Sequence, residues 1–149
     1  MNSNEELINI ALADSDSGYN CAQSVLKQYC EALGLSSDVA MRLASGFGGG
    51  MRMGRTCGAI TGGIMALGLK FGFTQPGDSL SKERLESIIS TYITDVKNRL
   101  GTCDCNDLMG IDVTIPEVRR QAKEDGLFKE KCPTFIRTAM EELEKRLSM

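Results

Sequence analysis

Ser81-Lys-Glu-Arg-Leu-Glu-Ser-Ile-Ile-Ser-Thr-Tyr-Ile-Thr-Asp-Val-Lys-Asn-Arg-Leu100 is the stretch on which the fold turns. Leu85, Ile88, Ile89, Tyr92, Val96 and Leu100 recur at helical spacing, so a helix gathers them on one face and leaves charged residues on the other. Gly101 stops the run. The same period returns on both sides, and no hairpin or alternating strand pattern interrupts it, so the chain reads as all-α.

Moving back from this segment, Phe71 to Ser79 reads as a loop and a helix is predicted from about Cys57 to Lys70. Before it lies Gly46-Phe-Gly-Gly-Gly-Met-Arg-Met-Gly54, five glycines in nine residues, with backbone conformations open to it that other residues avoid. Ser36-Ser37-Asp38 caps a third helix ending near Ser45, and a second runs from Asn20 to Ala32, closed by Gly34. A first covers Asn4 to Ala13, before the turn cluster Asp14-Ser-Asp-Ser-Gly18. Moving forward, Thr102 to Pro116 is irregular with one turn at Asn106–Met109, and Glu117–Glu124 forms a brief helix. Pro133, favoured at a first helical position, starts the last helix, which ends at Leu147. The expectation is a compact single-domain helical bundle of about five to seven helices over residues 1–149, with a glycine-rich loop before a central helix.

The chain has 149 residues, 42% of them apolar and 25% charged, a globular balance with room for a core. Its net charge of −3, with scattered Lys and Arg, argues against nucleic acid as a partner. The polar, acidic start is the wrong chemistry for a signal peptide, and the longest apolar stretch, Ile60 to Phe73, falls short of the roughly 20 residues that cross a bilayer. The expected location is cytoplasmic, without membrane insertion.

Six cysteines then carry the argument. In a reducing compartment, thiols at distinctive spacing bind metal or do redox work more often than they form structural disulfides. There is no His, which removes Cys-His pairs, Ser-His-Asp triads and His-ligated metal sites. Cys21 and Cys57 are predicted in the first turns of the second and fourth helices, and Cys132 at the cap of the last. Free N–H groups at a helix start favour thiolate, the form that attacks disulfides and binds iron or zinc. Arg52 and Arg55 would reinforce this at Cys57. Cys103 and Cys105 form a C-x-C pair that extended backbone would aim to one side. Cys30, nine residues beyond Cys21, turns to the opposite face and is assigned to packing.

The glycine loop lacks the Gly-Lys-Ser/Thr ending of a P-loop and follows no strand, so a nucleotide reading fails. Its backbone, at Gly48, Gly49 and Gly50, is expected to approach whatever Cys57 holds, with Gly58 and Arg55 beside it. Gly58, Gly62 and Ala66 leave a flat helix face for close packing. Met41, Met51, Met53 and Met65 read as core filler.

At Asn20-Cys21-Ala22-Gln23, Gly46-Phe-Gly-Gly-Gly50, Cys57-Gly-Ala-Ile-Thr-Gly62, Cys105-Asn-Asp-Leu-Met-Gly110 and a last Cys132, the chain resembles the family of small redox-active proteins named for its C…GCAxxG…C…C pattern. The likeness covers nearly the whole chain. It implies that the four characteristic cysteines are Cys21, Cys57, Cys105 and Cys132, with Cys103 a possible substitute two residues from Cys105. The pattern is also similar to part of the split-Soret cytochromes, of which only the non-haem part transfers, since no C-x-x-C-H is present.

Three functions remain open at this point. The four thiolates hold an iron–sulfur cluster for electron transfer; or, without metal, Cys57 attacks and another cysteine resolves, in a thiol–disulfide oxidoreductase or redox sensor; or the cysteines bind zinc or close disulfides for structure alone. A redox partner protein is expected in the first two cases. Whether the chain is an enzyme, and its oligomeric state, stay open.

Overall fold

The computed structural model describes residues 3–149, and among them the chain is helical with no strand. Helix α1 spans Asn4–Ser17, capped by the Ser3 hydroxyl, which accepts from the Glu6 N–H. It runs through the expected turn cluster and stops only at Gly18, whose φ is +123°. Asp14 explains the extension: its carboxylate is held by Lys27 at 3.0 Å and by Gln28 at 2.9 Å, anchoring the last turn to the next helix.

Helix α2 is shorter than the periodicity suggests, Cys21–Lys27, and irregular turns carry the chain on to Gly34. Helix α3 is Ser37–Ala44, α4 Gly58–Phe71 and α5 Ser79–Leu100. Two short helices follow, α6 at Cys105–Met109 and α7 at Pro116–Glu124, before α8 at Leu127–Leu147. Eight α-helices thus exceed the expected five to seven. The brief helix expected at Glu117–Glu124 is α7, and the one added helix is α6, where a single turn was expected because five residues offer too few turns for periodicity to assert itself.

The start of α8 is a correction with consequences. The helix begins after Gly126, six residues ahead of Pro133, which sits inside it. Proline is poor there because it lacks the N–H that would bond to the carbonyl four residues back, so a sequence reading puts it at a helix start. Cys132 is therefore in the second turn of α8 and not at a cap.

One hydrophobic cluster draws on α1, α2, α3, α4, α5 and α8. On α5, Ile88, Tyr92 and Val96 are buried, with Leu85, Ile89, Ile93 and Leu100 packed beside them. The Tyr92 hydroxyl donates to the Ala139 carbonyl at 3.2 Å, tying α5 to α8. Helix α4 is the central element, and its small face works as expected: a Cβ on Gly62 would stand 2.7 Å from the Ala22 carbonyl oxygen, so α2 and α4 meet backbone to backbone. Met41 and Met65 pack on this core, whereas Met51 and Met53 project outward, contrary to the core assignment. No helix among the described residues is long and apolar enough to cross a membrane.

Candidate functional site

Four cysteines from four elements meet where α2, α4, α6 and α8 converge. Asn20 sets the first. Its side chain accepts from the Gln23 N–H at 2.8 Å, and the Gln23 side chain accepts from the Asn20 N–H at 3.0 Å, a reciprocal cap that starts α2 at Cys21. Asn20 also donates to the Ala44 carbonyl, and Gln23 to that of Met41, which fixes this turn against α3.

Cys57 is the N-cap residue of α4. The residue after it must be small: a Cβ on Gly58 would lie 3.0 Å from the Ala22 nitrogen and 3.3 Å from the Cys21 Cβ. That close approach sets Cys21 beside Cys57.

Cys105 opens α6, and a short antiparallel bridge, Thr56 opposite Asp104, holds it to Cys57. The Cys57 N–H donates to the Cys103 carbonyl at 2.8 Å, and the Cys105 N–H to the Arg55 carbonyl at 2.6 Å. Asn106 then locks the loop beyond by accepting from the Val113 N–H at 2.8 Å. Cys132 arrives on α8, where Lys131 donates to the Met109 carbonyl and joins that turn to the end of α6.

The electrostatics define the set. Cys21 feels the charges of Cys132, Cys57 and Cys105; Cys57 those of Cys105 and Cys132; Cys105 that of Cys132. Every pair among the four is in electrostatic reach. Cys103 and Cys30 stand outside. Cys103 senses Lys97 and Asp104, and Cys30 is fully buried in the hydrophobic cluster. In the C-x-C pair, Asp104 is extended but Cys105 turns into a helix, so the two thiols do not share a site.

Helix starts account for three of the four, with Cys105 in the place expected for Cys132. The net ionisation at Cys57 and Cys105 is opposite to expectation. Burial pushes the Cys57 thiol up to about 12, against the pull of the Ala59 and Ile60 N–H groups, and pushes Cys105 up to about 11. Removing water costs a thiolate more than a few amide dipoles return. Neither Arg52 nor Arg55 is among the main influences on Cys57; the Arg55 guanidinium is exposed and 3.9 Å from the Asp104 carboxylate. The exception is Cys132, held below the ordinary thiol range by a hydrogen bond from the Cys21 thiol, while Cys21 is held well above it. Between the two, the coupling favours the proton on Cys21 and the negative charge on Cys132.

The Cys21–Cys132 pair opens to a pocket of about 330 Å³, also lined by Gly48, Gly49, Tyr19, Phe128 and the cations Arg119, Lys123 and Lys129. The glycine loop shapes this wall through a left-handed turn. Gly49, Gly50, Met51 and Arg52 all have φ near +60°, the last two at the cost that a side chain imposes there. A Cβ on Gly49 would lie 2.9 Å from Arg119 Nη1, and one on Gly50 within 2.5 Å of the Arg55 backbone. These glycines thus make room for Arg119 and for the strand-like bridge. Arg119 itself, whose charge lowers the proton affinity of Cys105, was not foreseen. In sequence it lies on a charge-rich helix that reads as a solvated face.

All six cysteines are free thiols. Among the described residues, no three Cys, Asp or Glu side chains are arranged to hold a single metal ion. An all-thiol set of four, with Cys57 buried and Cys21, Cys105 and Cys132 part-buried, does match the donor chemistry of an iron–sulfur cluster, which is wider than one ion.

An all-helical domain with four cysteines gathered at one point defines a class of thiol-centred proteins. Residues 19–146 match the family described as "Putative redox-active protein (C_GCAxxG_C_C)", and the chain belongs to it. No curated protein and no solved structure matches the chain.

Proposed function

We propose that Cys21, Cys57, Cys105 and Cys132 act together as one redox site, and that they hold an iron–sulfur cluster for electron transfer. The observation that carries this reading is the mutual electrostatic reach of all four sulfurs, when a disulfide exchange would need only two. Bound, the cluster would supply one-electron transfer. The chain's own part is to supply four thiolates, shield the one at Cys57 from water, and offer amide N–H groups at Ala59 and Ile60 toward its sulfur. Anaerobic purification followed by iron and acid-labile sulfide analysis tests it: both should be present in the wild type and lost in Cys57→Ser, and an iron-free protein after reconstitution ends the reading.

A second reading rests on the pairing of Cys21 and Cys132, which face one pocket and influence each other's ionisation most strongly. Here the Cys132 thiolate attacks a partner's disulfide, breaking its S–S bond and releasing one thiolate. Cys21 then attacks the Cys132 sulfur, closing a Cys21–Cys132 disulfide. The second partner thiolate leaves and takes the Cys21 proton, so two electrons pass to the partner. This assigns the attack to Cys132, the stabilised thiolate, and not to Cys57. Thiol counting in defined redox buffers would find a two-electron couple lost in Cys132→Ser, with no iron required.

A further inference from the structure

A second hollow, of about 350 Å³, lies between the left-handed turn and the start of α7. Its walls are Arg52, Val113, Thr114, Pro116, Arg119, Arg120 and Lys123. Four cations face it and no carboxylate does, in a chain with 20 acidic residues against 17 basic ones. Among the described residues none of the four makes a salt bridge, whereas Lys27, Arg55, Arg99, Lys129, Arg137, Lys145 and Arg146 all do.

Holding like charges around a cavity is unfavourable, and the structure carries the signs of it. Arg119 has its proton affinity lowered by burial and by the charge of Arg52. Arg52 reaches this wall from a left-handed backbone that side chains disfavour. The start of α7 adds to the same field, because no side chain caps its first N–H groups.

We propose that this hollow is a binding site for a compact polyanion, phosphate- or carboxylate-bearing, with Arg52, Arg119, Arg120 and Lys123 as its ligands. The guanidinium groups pair bidentately with phosphate or carboxylate oxygens, and the anion offsets their repulsion. The volume is that of a small-molecule cleft, and its concavity favours a small ligand over an acidic protein surface. Arg119 and Lys123 also line the Cys21–Cys132 pocket, so the bound anion rests at the lip of the cysteine site. The site stands independently of whether those cysteines hold a cluster or exchange a disulfide.

Calorimetric titration of the whole reduced chain at low ionic strength, with inorganic pyrophosphate and with citrate, tests the proposal and separates the phosphate from the carboxylate source. Saturable binding is expected, weakened about tenfold or more in an Arg119→Gln, Arg120→Gln double variant and unchanged in Lys82→Gln on α5. Because Arg120 is exposed, Arg120→Gln alone keeps the test open if the double variant does not fold. Absence of saturable binding, equal binding by the double variant, or binding confined to an acidic peptide would overturn the proposal.

Discussion

The Cys57 N–H donates to the carbonyl of Cys103 at 2.8 Å, so the site uses the backbone of Cys103 and leaves its thiol aside. This bond and its reciprocal, from Cys105 to Arg55, set the spacing between Cys57 and Cys105. Cys103→Ser should therefore retain iron binding or the disulfide couple at wild-type level, while Cys105→Ser loses the former. Iron and sulfide analysis of the two variants side by side makes the comparison.

The four thiols should ionise far apart. In reduced, metal-free protein, the rate of alkylation with iodoacetamide should rise first at Cys132, at lower pH than at the other three. Cys105 should follow near 11, and both Cys57, near 12, and Cys21 should respond only at still higher pH. Cys21→Ala removes the hydrogen-bond donor and should move the Cys132 midpoint upward.

Stability follows from the same shifts. Between the unfolded thiol value and about 11 to 12, the folded state keeps protons on Cys105 and Cys57 that the unfolded chain has lost. The folded state binds more protons in that window, so metal-free protein should lose stability as pH rises above about 8.5. Urea melts at pH 8 and pH 10 check the direction, and Cys57→Ser should flatten the dependence.

Two glycines on α4 should respond with opposite signs. Gly62→Ala drives a Cβ to 2.7 Å from the Ala22 carbonyl oxygen and should cost about 1–3 kcal/mol, because backbone cannot move aside as a side chain can. Gly68→Ala meets nothing within 4 Å and should gain up to about 1 kcal/mol from helix propensity. Denaturant midpoints decide between them.

Arg146 is buried against Tyr92 and pairs with Asp95 and with buried Glu142. Arg146→Met leaves Glu142 short of a partner and should lower stability by about 3 kcal/mol. Lys145→Ala, which removes an exposed partner of the same carboxylate, should stay within about 0.5 kcal/mol of wild type.

How far the sequence alone reached can be judged from particular residues. The α5 face and the small stripe on α4 were legible because each repeats over several turns. Cys21 and Cys57 sit at helix starts that Asn20 and the glycine loop announce. Cys132 misled because Pro133 signals a helix start that tertiary packing moved six residues upstream. The ionisation of Cys57 was misjudged because local sequence shows dipoles and hides burial. Arg119 was illegible for a plainer reason: it comes more than sixty residues after Gly49, and only the folded chain brings them together.

The claim that four particular cysteines share one redox site is tested most directly by residue-resolved alkylation mass spectrometry. Protein would be compared as reduced apo thiol and after anaerobic iron–sulfur reconstitution. The account predicts that Cys21, Cys57, Cys105 and Cys132 become protected together while Cys103 labels equally in both forms. Protection of Cys103 in place of Cys105, or of any subset that leaves Cys57 freely reactive, would contradict it.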